Sequence, residues 1–374
     1  MSEPERAVAR IDLGAVERNC AHLKSLLSNG ARLCAVVKAD AYGHGDVWCA
    51  RAALEGGADW LAVATAPEAE ELRRHGIRAR ILVMGALTRE DVRIAVASAA
   101  DVVAWDERFV RLLQEIAGAD DLRANVHVKL DTGMGRLGAK DEATARAVAE
   151  AVDDADRLDL SGAMTHFATA DEPGDEHFPR QLGRFKPFAD EMRQGRDGLV
   201  VHAANSAATY RDEAAHFDMV RCGIAVYGLD PFQEDPGARG VEPALRLESY
   251  VAAVRRFEAG ESAGYGRRWQ AEQPTWVGTL PIGYGDGWRR DLTNNAEVLV
   301  RGKRFPLVGT VSMDNVTIDL GPETDVEAGD RAVLIGEDGG ERILCEDVAR
   351  RLGTINYEIT CGLSQRVRRV HQRA

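Results

Sequence analysis

The sequence predicts an α/β protein, a closed (β/α)8 barrel followed by a smaller, mostly-β C-terminal domain. Three observations predict it. Eight short apolar runs alternate with helix-length amphipathic stretches between Ile11 and about Leu229. The pattern changes after Pro243, where strand-like runs follow one another across turn clusters such as RGKR and EDGG. Polar and small residues gather where the early apolar runs end, and a barrel of parallel strands carries its chemistry at those ends.

The eight runs begin near Leu33, Trp60, Ile81, Val102, Val126, Leu160, Leu199 and Met219. Parallel neighbours need a helix-length connection, so strands alternating with helices imply a parallel sheet. Eight such units match a closed barrel. The alternative is a doubly wound open sheet, which would carry a GxGxxG loop after its first strand. ADAYGHG, at that place, lacks the spacing.

The helices mark their own ends. Val16, Cys20, Leu23 and Leu27 recur at helical spacing, and the stretch stops at Gly30. Pro67 opens a helix that ends at Gly76. Thr88 with Asp91 has the capping-box pattern, and Asp106 can cap the helix that runs to Gly118. The reading divides the chain into a barrel over 1–236 and a β domain over 237–374, joined through the Pro- and Gly-rich DPFQEDPGARGVEP. The first ten residues can pack with the β domain. In that domain LRLESYVAAVRRF, TWVGTLPIGY, AEVLVRGKRFPLVGTVSMDNVTIDL, DRAVLIG and YEITCGLSQRVRRVH read as strands, and only 346–352 as helix.

Composition narrows the function class. The 374 residues are 45% hydrophobic and 29% charged, as in soluble globular proteins, with a net charge of −13. Nucleic-acid binding needs a basic footprint, and anionic membrane surfaces repel an acidic chain. No apolar run approaches the ~20 residues of a membrane span, and the polar start MSEPERAVAR does not read as a signal peptide. Six scattered cysteines without CxxC spacing read as core residues in a reducing compartment rather than as disulfides or metal ligands. The expectation is a soluble, acidic, cytoplasmic protein, and composition says nothing of its chemistry.

The stretch AVVKADAYGHG carries the first chemical signal. Its apolar run ends in Lys38, followed by Tyr42 and two glycines. A desolvated lysine amine can lose its proton and bond a carbonyl carbon. After the seventh and eighth runs come HAANSAAT and RCGIAVYG, small and hydroxyl-bearing, in the loops where barrels often bind phosphate. Ser206 can donate a hydroxyl there, and Gly223 allows close backbone approach. The fifth run, NVHVKLDTGMGRLG, puts Lys129 inside a strand, which is expensive unless it is paired or modified, and Arg136 in a Gly-rich loop. The sixth ends in THF and offers His166. A carbonyl-bonding lysine beside a phosphate site suggests pyridoxal 5'-phosphate.

Taken in order, AVVKADAYGHG, VKLDTGMGRLG, THFA, HAANSAA, RCGIAVYG, AGYGR, IGYGDG, SMDN and TINYEIT resemble the bacterial alanine racemases over nearly the whole chain. The resemblance implies a pyridoxal-phosphate enzyme that interconverts L- and D-alanine and supplies D-alanine for peptidoglycan. It implies that Lys38 bonds the cofactor aldehyde. Tyr42, Ser206, Tyr357, Gly223 and Ile224 would hold the phosphate, and Arg221 would face the pyridine nitrogen. His166 would stand between Arg221 and Tyr265. Tyr265, Tyr284, Met313 and Asp314 would come from the partner subunit of a homodimer. Arg136 and Met313 would meet the substrate carboxylate, and Lys129 matches a position carbamylated in many members.

Racemisation needs a base on each face of the α-carbon, here Lys38 and Tyr265. A phenol acting as a base near neutrality needs cationic help, which Arg221 and His166 can supply. Cys222, Thr310 and Ser312 depart from the residues commoner in the family, which bears on the substrate entrance. The alternatives are a serine or lysine racemase on the same scaffold and a non-catalytic pyridoxal-phosphate binder.

Overall fold

The computed structural model describes residues 5–373, so the first four residues of MSEPERAVAR lie outside it. Eighteen strands form two systems among the described residues. β1 (Val8–Asp12) belongs to the second. β2 (Arg32–Val36), β3 (Trp60–Val63), β4 (Arg80–Val83), β5 (Asp101–Ala104), β6 (Ala124–Lys129), β7 (Leu158–Met164), β8 (Val200–His202) and β9 (Met219–Cys222) form the first. These eight pair in parallel, each with the next, and β2 closes onto β9 with Cys34 opposite Arg221. The open-sheet alternative is thereby excluded. The strands start within two residues of the positions expected from the sequence.

Leu33, Leu61, Ile81, Leu82, Val102, Val126 and Val128 are fully buried and carry the hydrophobic stabilisation of the barrel. The surrounding helices begin where their caps predict. Thr88 Oγ1 accepts from the Asp91 amide at 3.2 Å, while Asp91 accepts from the Thr88 amide at 2.9 Å. Asp106 accepts from the Phe109 amide at 2.9 Å. Each such cap is worth about 1 kcal/mol.

The second system is built from β10 (Leu245–Tyr250), β11 (Ala253–Phe257), β12 (Thr275–Leu280), β13 (Glu297–Val300), β14 (Lys303–Val308), β15 (Val316–Gly321), β16 (Arg331–Asp338), β17 (Glu341–Ile343) and β18 (Arg368–Gln372). Its order is β11-β12-β15-β14-β13-β16-β10-β1-β18, with β17 on β16. β1 runs antiparallel to β10 and parallel to β18. By contacts the chain forms two compact units. One is Val16–Tyr42 with Asp46–Val226; the other joins the chain up to Ala15 and Gly43–Gly45 to everything from Tyr227 onward.

One sequence expectation fails here. YEITCGLSQRVRRVH is not a single strand: Asn356–Cys361 is helical, and only Arg368–Gln372 is extended. Asn356 is fully buried, with its side-chain amide donating to the Asp230 carbonyl and to Glu346, both at 2.8 Å. Those bonds hold the start of the helix and override the strand preference of Ile359 and Thr360.

Candidate active site

Lys38 follows the end of β2 and is half-buried. The four residues after it, Ala39, Asp40, Ala41 and Tyr42, all adopt left-handed backbone with φ of 52–54°. For residues with a Cβ this conformation costs roughly 1–2 kcal/mol each. Surrounding bonds hold it. Glu68 accepts from the amides of Ala39, Ala64 and Thr65 at 2.7–2.9 Å, and Asp40 accepts from the Asp46 amide at 3.0 Å. Strain of this kind collects at functional sites, where it fixes a direction for the chain. Here it sets the spacing of Lys38 and Tyr42.

Tyr42 is buried with its phenol against Gly223; a Cβ on that glycine would lie 2.3 Å from the phenol oxygen. The Gly223 amide donates to Ser206 Oγ at 3.0 Å, so the hydroxyl accepts there and keeps its O–H as a donor. Ile224 opens a 3₁₀ turn directly after Gly223. Tyr42, Ser206 and Gly223 thus meet at one spot, two hydroxyls beside the Gly223 backbone with Ile224 following it, a setting suited to an anionic oxygen cluster.

Beside it lies a concentration of cations. Arg221, on β9, is buried, and among the described residues its guanidinium has no carboxylate partner. One nitrogen donates to His202 Nδ1 at 2.7 Å; the other donates to the Thr165 and Ala203 carbonyls at 2.9 Å and to His166 Nδ1 at 3.2 Å. Burial brings Arg221 down to about 10, still charged at neutral pH. Burial, then Arg221, Lys129, Arg136 and Lys38, pull His166 well below the ordinary histidine range. Lys129, the last residue of β6, is buried and lowered to about 8 by desolvation and by Arg221 and Arg136. Arg136 is exposed, in a loop where Asp131 accepts from the amides of Gly133, Met134 and Gly135. The arrangement can bind an anion, hold neutral imidazoles and present amines at the barrel mouth.

The remaining expected residues belong to the other unit, and four of them share one face. The Tyr284 amide donates to the Ser312 carbonyl at 3.0 Å, and the Gly285 amide to the Met313 carbonyl at 2.9 Å. Arg366 donates to Asp314 at 2.6 Å and lies 3.4 Å from buried Asp286. Thr310 Oγ1 donates to the Tyr265 carbonyl at 2.6 Å, so this departure from the family pattern anchors the Tyr265 turn. Tyr265, Tyr284 and Met313 are exposed, and Tyr357 is half-buried in its short helix. Cys222 is buried against Thr209, which leaves it as packing.

Sequence reasoning missed Glu68, Asp101, His127 and His202. The last two carried a signal: NVHVK and VVHAA each place a histidine inside an apolar strand, where a polar ring needs partners.

Fold and site together define a (β/α)8 enzyme with a lysine-centred cationic mouth and an appended β domain. Comparison with known proteins makes this specific. The family models "Alanine racemase, N-terminal domain" and "Alanine racemase, C-terminal domain" match residues 11–231 and 244–371. The chain is 42% identical over 364 residues to an alanine racemase of Symbiobacterium thermophilum, covering 97% of this chain and 96% of that protein. It is 41% identical over 365 residues to alanine racemase 1 of Bacillus subtilis, covering 97% and 92%. The crystal structure of an alanine racemase from the D-cycloserine producer Streptomyces lavendulae superposes with a TM-score of 0.94 at 38% identity, over 99% of this chain and 98% of that one. The Bacillus anthracis enzyme, solved with bound L-Ala-P, gives 0.90 at 37% identity, over 99% and 95%. The chain belongs to the alanine racemase family.

Proposed function

We propose that this enzyme interconverts L- and D-alanine with pyridoxal 5'-phosphate and a base on each face of the substrate, supplying D-alanine for peptidoglycan in the cytoplasm. The observation that carries the reading is the convergence of Lys38, the Tyr42–Ser206–Gly223 cluster and buried Arg221 in one barrel unit. The residues fit the cofactor: a cradle with no room for a Cβ at Gly223 suits a phosphate, and a charged donor suits a ring nitrogen. Once joined to the substrate's amino group, pyridoxal phosphate would withdraw electrons from the α-carbon and acidify its C–H bond.

The chain's own groups do the rest. Lys38 Nζ takes or returns the α-proton on one face. The phenol oxygen of Tyr265, from a second copy, serves the other face, which needs a homodimer. Arg221 has only N–H donors, so it can hydrogen-bond a ring nitrogen while withholding a proton from it. His166, kept neutral, connects Arg221 toward that phenol. Arg136 and Met313 receive the substrate carboxylate, with Asp314 and Tyr284 shaping the approach, and Tyr357 adds a phosphate contact. Lys129, with its lowered basicity, adds CO₂ through its neutral amine and releases a proton. The carbamate formed is a partner for Arg136.

The free thiols of all six cysteines support a reducing compartment, and no helix among the described residues is long and apolar enough to cross a membrane. The test is an absorption spectrum and a racemisation assay on the purified protein, repeated on Lys38→Ala. A near-visible cofactor band and alanine racemisation are expected in the native chain. In the variant the band is lost and turnover falls by at least about 10²–10⁴-fold. Faster turnover of serine or lysine than of alanine would reassign the substrate.

A further inference from the structure

Behind Arg221 a line of polar side chains crosses the barrel interior, where layers of branched apolar residues are the norm. His202 Nε2 lies 2.8 Å from His127 Nδ1, and His127 Nε2 lies 3.0 Å from Asp101 Oδ2. Asp101 opens β5 and is paired with Arg80, which opens β4; Asn125 donates to the other Asp101 oxygen at 3.3 Å. Asp101, His127 and His202 are all buried. The line therefore runs from the N-terminal end of the strands to Arg221, near their C-terminal ends.

Strand β7 makes room for it. A Cβ on Gly162 would lie 2.2 Å from His127 Nδ1. Trp60 meets the His127 ring edge-on at 5.7 Å, and the Arg80 guanidinium stacks over Trp60 at 4.0 Å. Apolar side chains would fill this space without the desolvation cost of a buried carboxylate and two imidazoles.

Hydrogen-bond chemistry fixes the direction of the whole line. A guanidinium has no acceptor, so His202 Nδ1 must offer a lone pair to Arg221. His202 is then protonated on Nε2 and donates to His127 Nδ1. His127 in turn is protonated on Nε2 and donates to the Asp101 carboxylate.

Resting on the reading that Arg221 faces the cofactor ring, we infer that Asp101 and His127 are positioning residues for the racemase reaction. Through His202 they hold a lone pair toward Arg221, fixing its guanidinium in orientation from about two imidazoles away. The carboxylate determines the tautomer of both rings. With that acceptor gone, His127 is free to turn or exchange its proton, and an Nδ1–H on His202 would oppose the Arg221 N–H.

The test reads tautomers directly. ¹⁵N spectra of the full-length, histidine-labelled protein are recorded with and without cofactor, with His127→Gln and His202→Gln assigning the signals. Expected are two neutral rings, each protonated on Nε2 only. A proton on Nδ1 of either ring in the native protein overturns the inference. In folded Asp101→Asn, kcat should fall about tenfold or more with KM for alanine little changed, because orientation rather than substrate binding is lost. The bound-cofactor absorption maximum should shift. An unchanged kcat and maximum in that variant also overturns it. The tautomers are read without cofactor or turnover, so this inference and the racemase reading can fail separately.

Discussion

Arg221, Lys129 and Ser206 in the barrel unit are 3–4% exposed, whereas Tyr265, Tyr284 and Met313 in the β unit are 74%, 42% and 51% exposed. The two regions treat their functional groups in opposite ways. The barrel closes its polar atoms onto one another: Arg221 donates to two carbonyls and two histidines, and Ser206 takes an amide. The β unit instead fixes the backbone behind Tyr265, Tyr284 and Met313 and turns those three side chains outward. Large exposed apolar side chains gathered on one face usually mark a surface meant to be covered. Under the proposed function, the barrel half of the site is built within one chain, and the exposed half would be completed by a second copy.

Three changes separate these halves, from the largest effect to the smallest. Tyr265→Phe removes one base and leaves its backbone anchor, so racemisation should drop about 10²–10⁴-fold. Exchange of the α-proton in D₂O should persist for one enantiomer of alanine only; NMR of each enantiomer reads this, and equal exchange of both would remove the asymmetry between the bases. Gly223→Ala drives a methyl group into the Tyr42 phenol and should weaken cofactor retention about tenfold or more, measured by dialysis and absorbance.

The smallest effect concerns Lys129. Folding lowers it to about 8 from 10.5, so between those values the unfolded chain binds more protons and stability rises with pH. Lys129→Met should flatten that rise in thermal melts made without CO₂. Bicarbonate should flatten it in the native protein as well, because a carbamate no longer titrates as an amine.

The strands and caps were legible because each rests on local pattern: the apolar run from Leu33 to Val37, the Thr88–Asp91 box, the Asp106 cap. The positions of Lys38, Ser206 and Gly223 at the ends of apolar runs were legible too. The left-handed turn was not, because Ala39, Ala41 and Tyr42 are residues that avoid positive φ, and bonds such as those to distant Glu68 and nearby Asp46 hold the turn. The helix at Asn356–Cys361 was hidden for the same reason: buried partners decide it against propensity. The Asp101–His127–His202 line joins side chains from β5, β6 and β8 that meet inside the barrel, so spacing along the chain could not reveal it.

The most direct test of a site assembled from two copies is to mix two inactive proteins. Lys38→Ala lacks one of the proposed bases and Tyr265→Phe the other. When they are unfolded together, refolded and loaded with cofactor, mixed dimers should contain one site with both bases, and alanine racemisation should return well above either parent. A mixture as inactive as its parents, in dimers shown to have exchanged, would contradict the account.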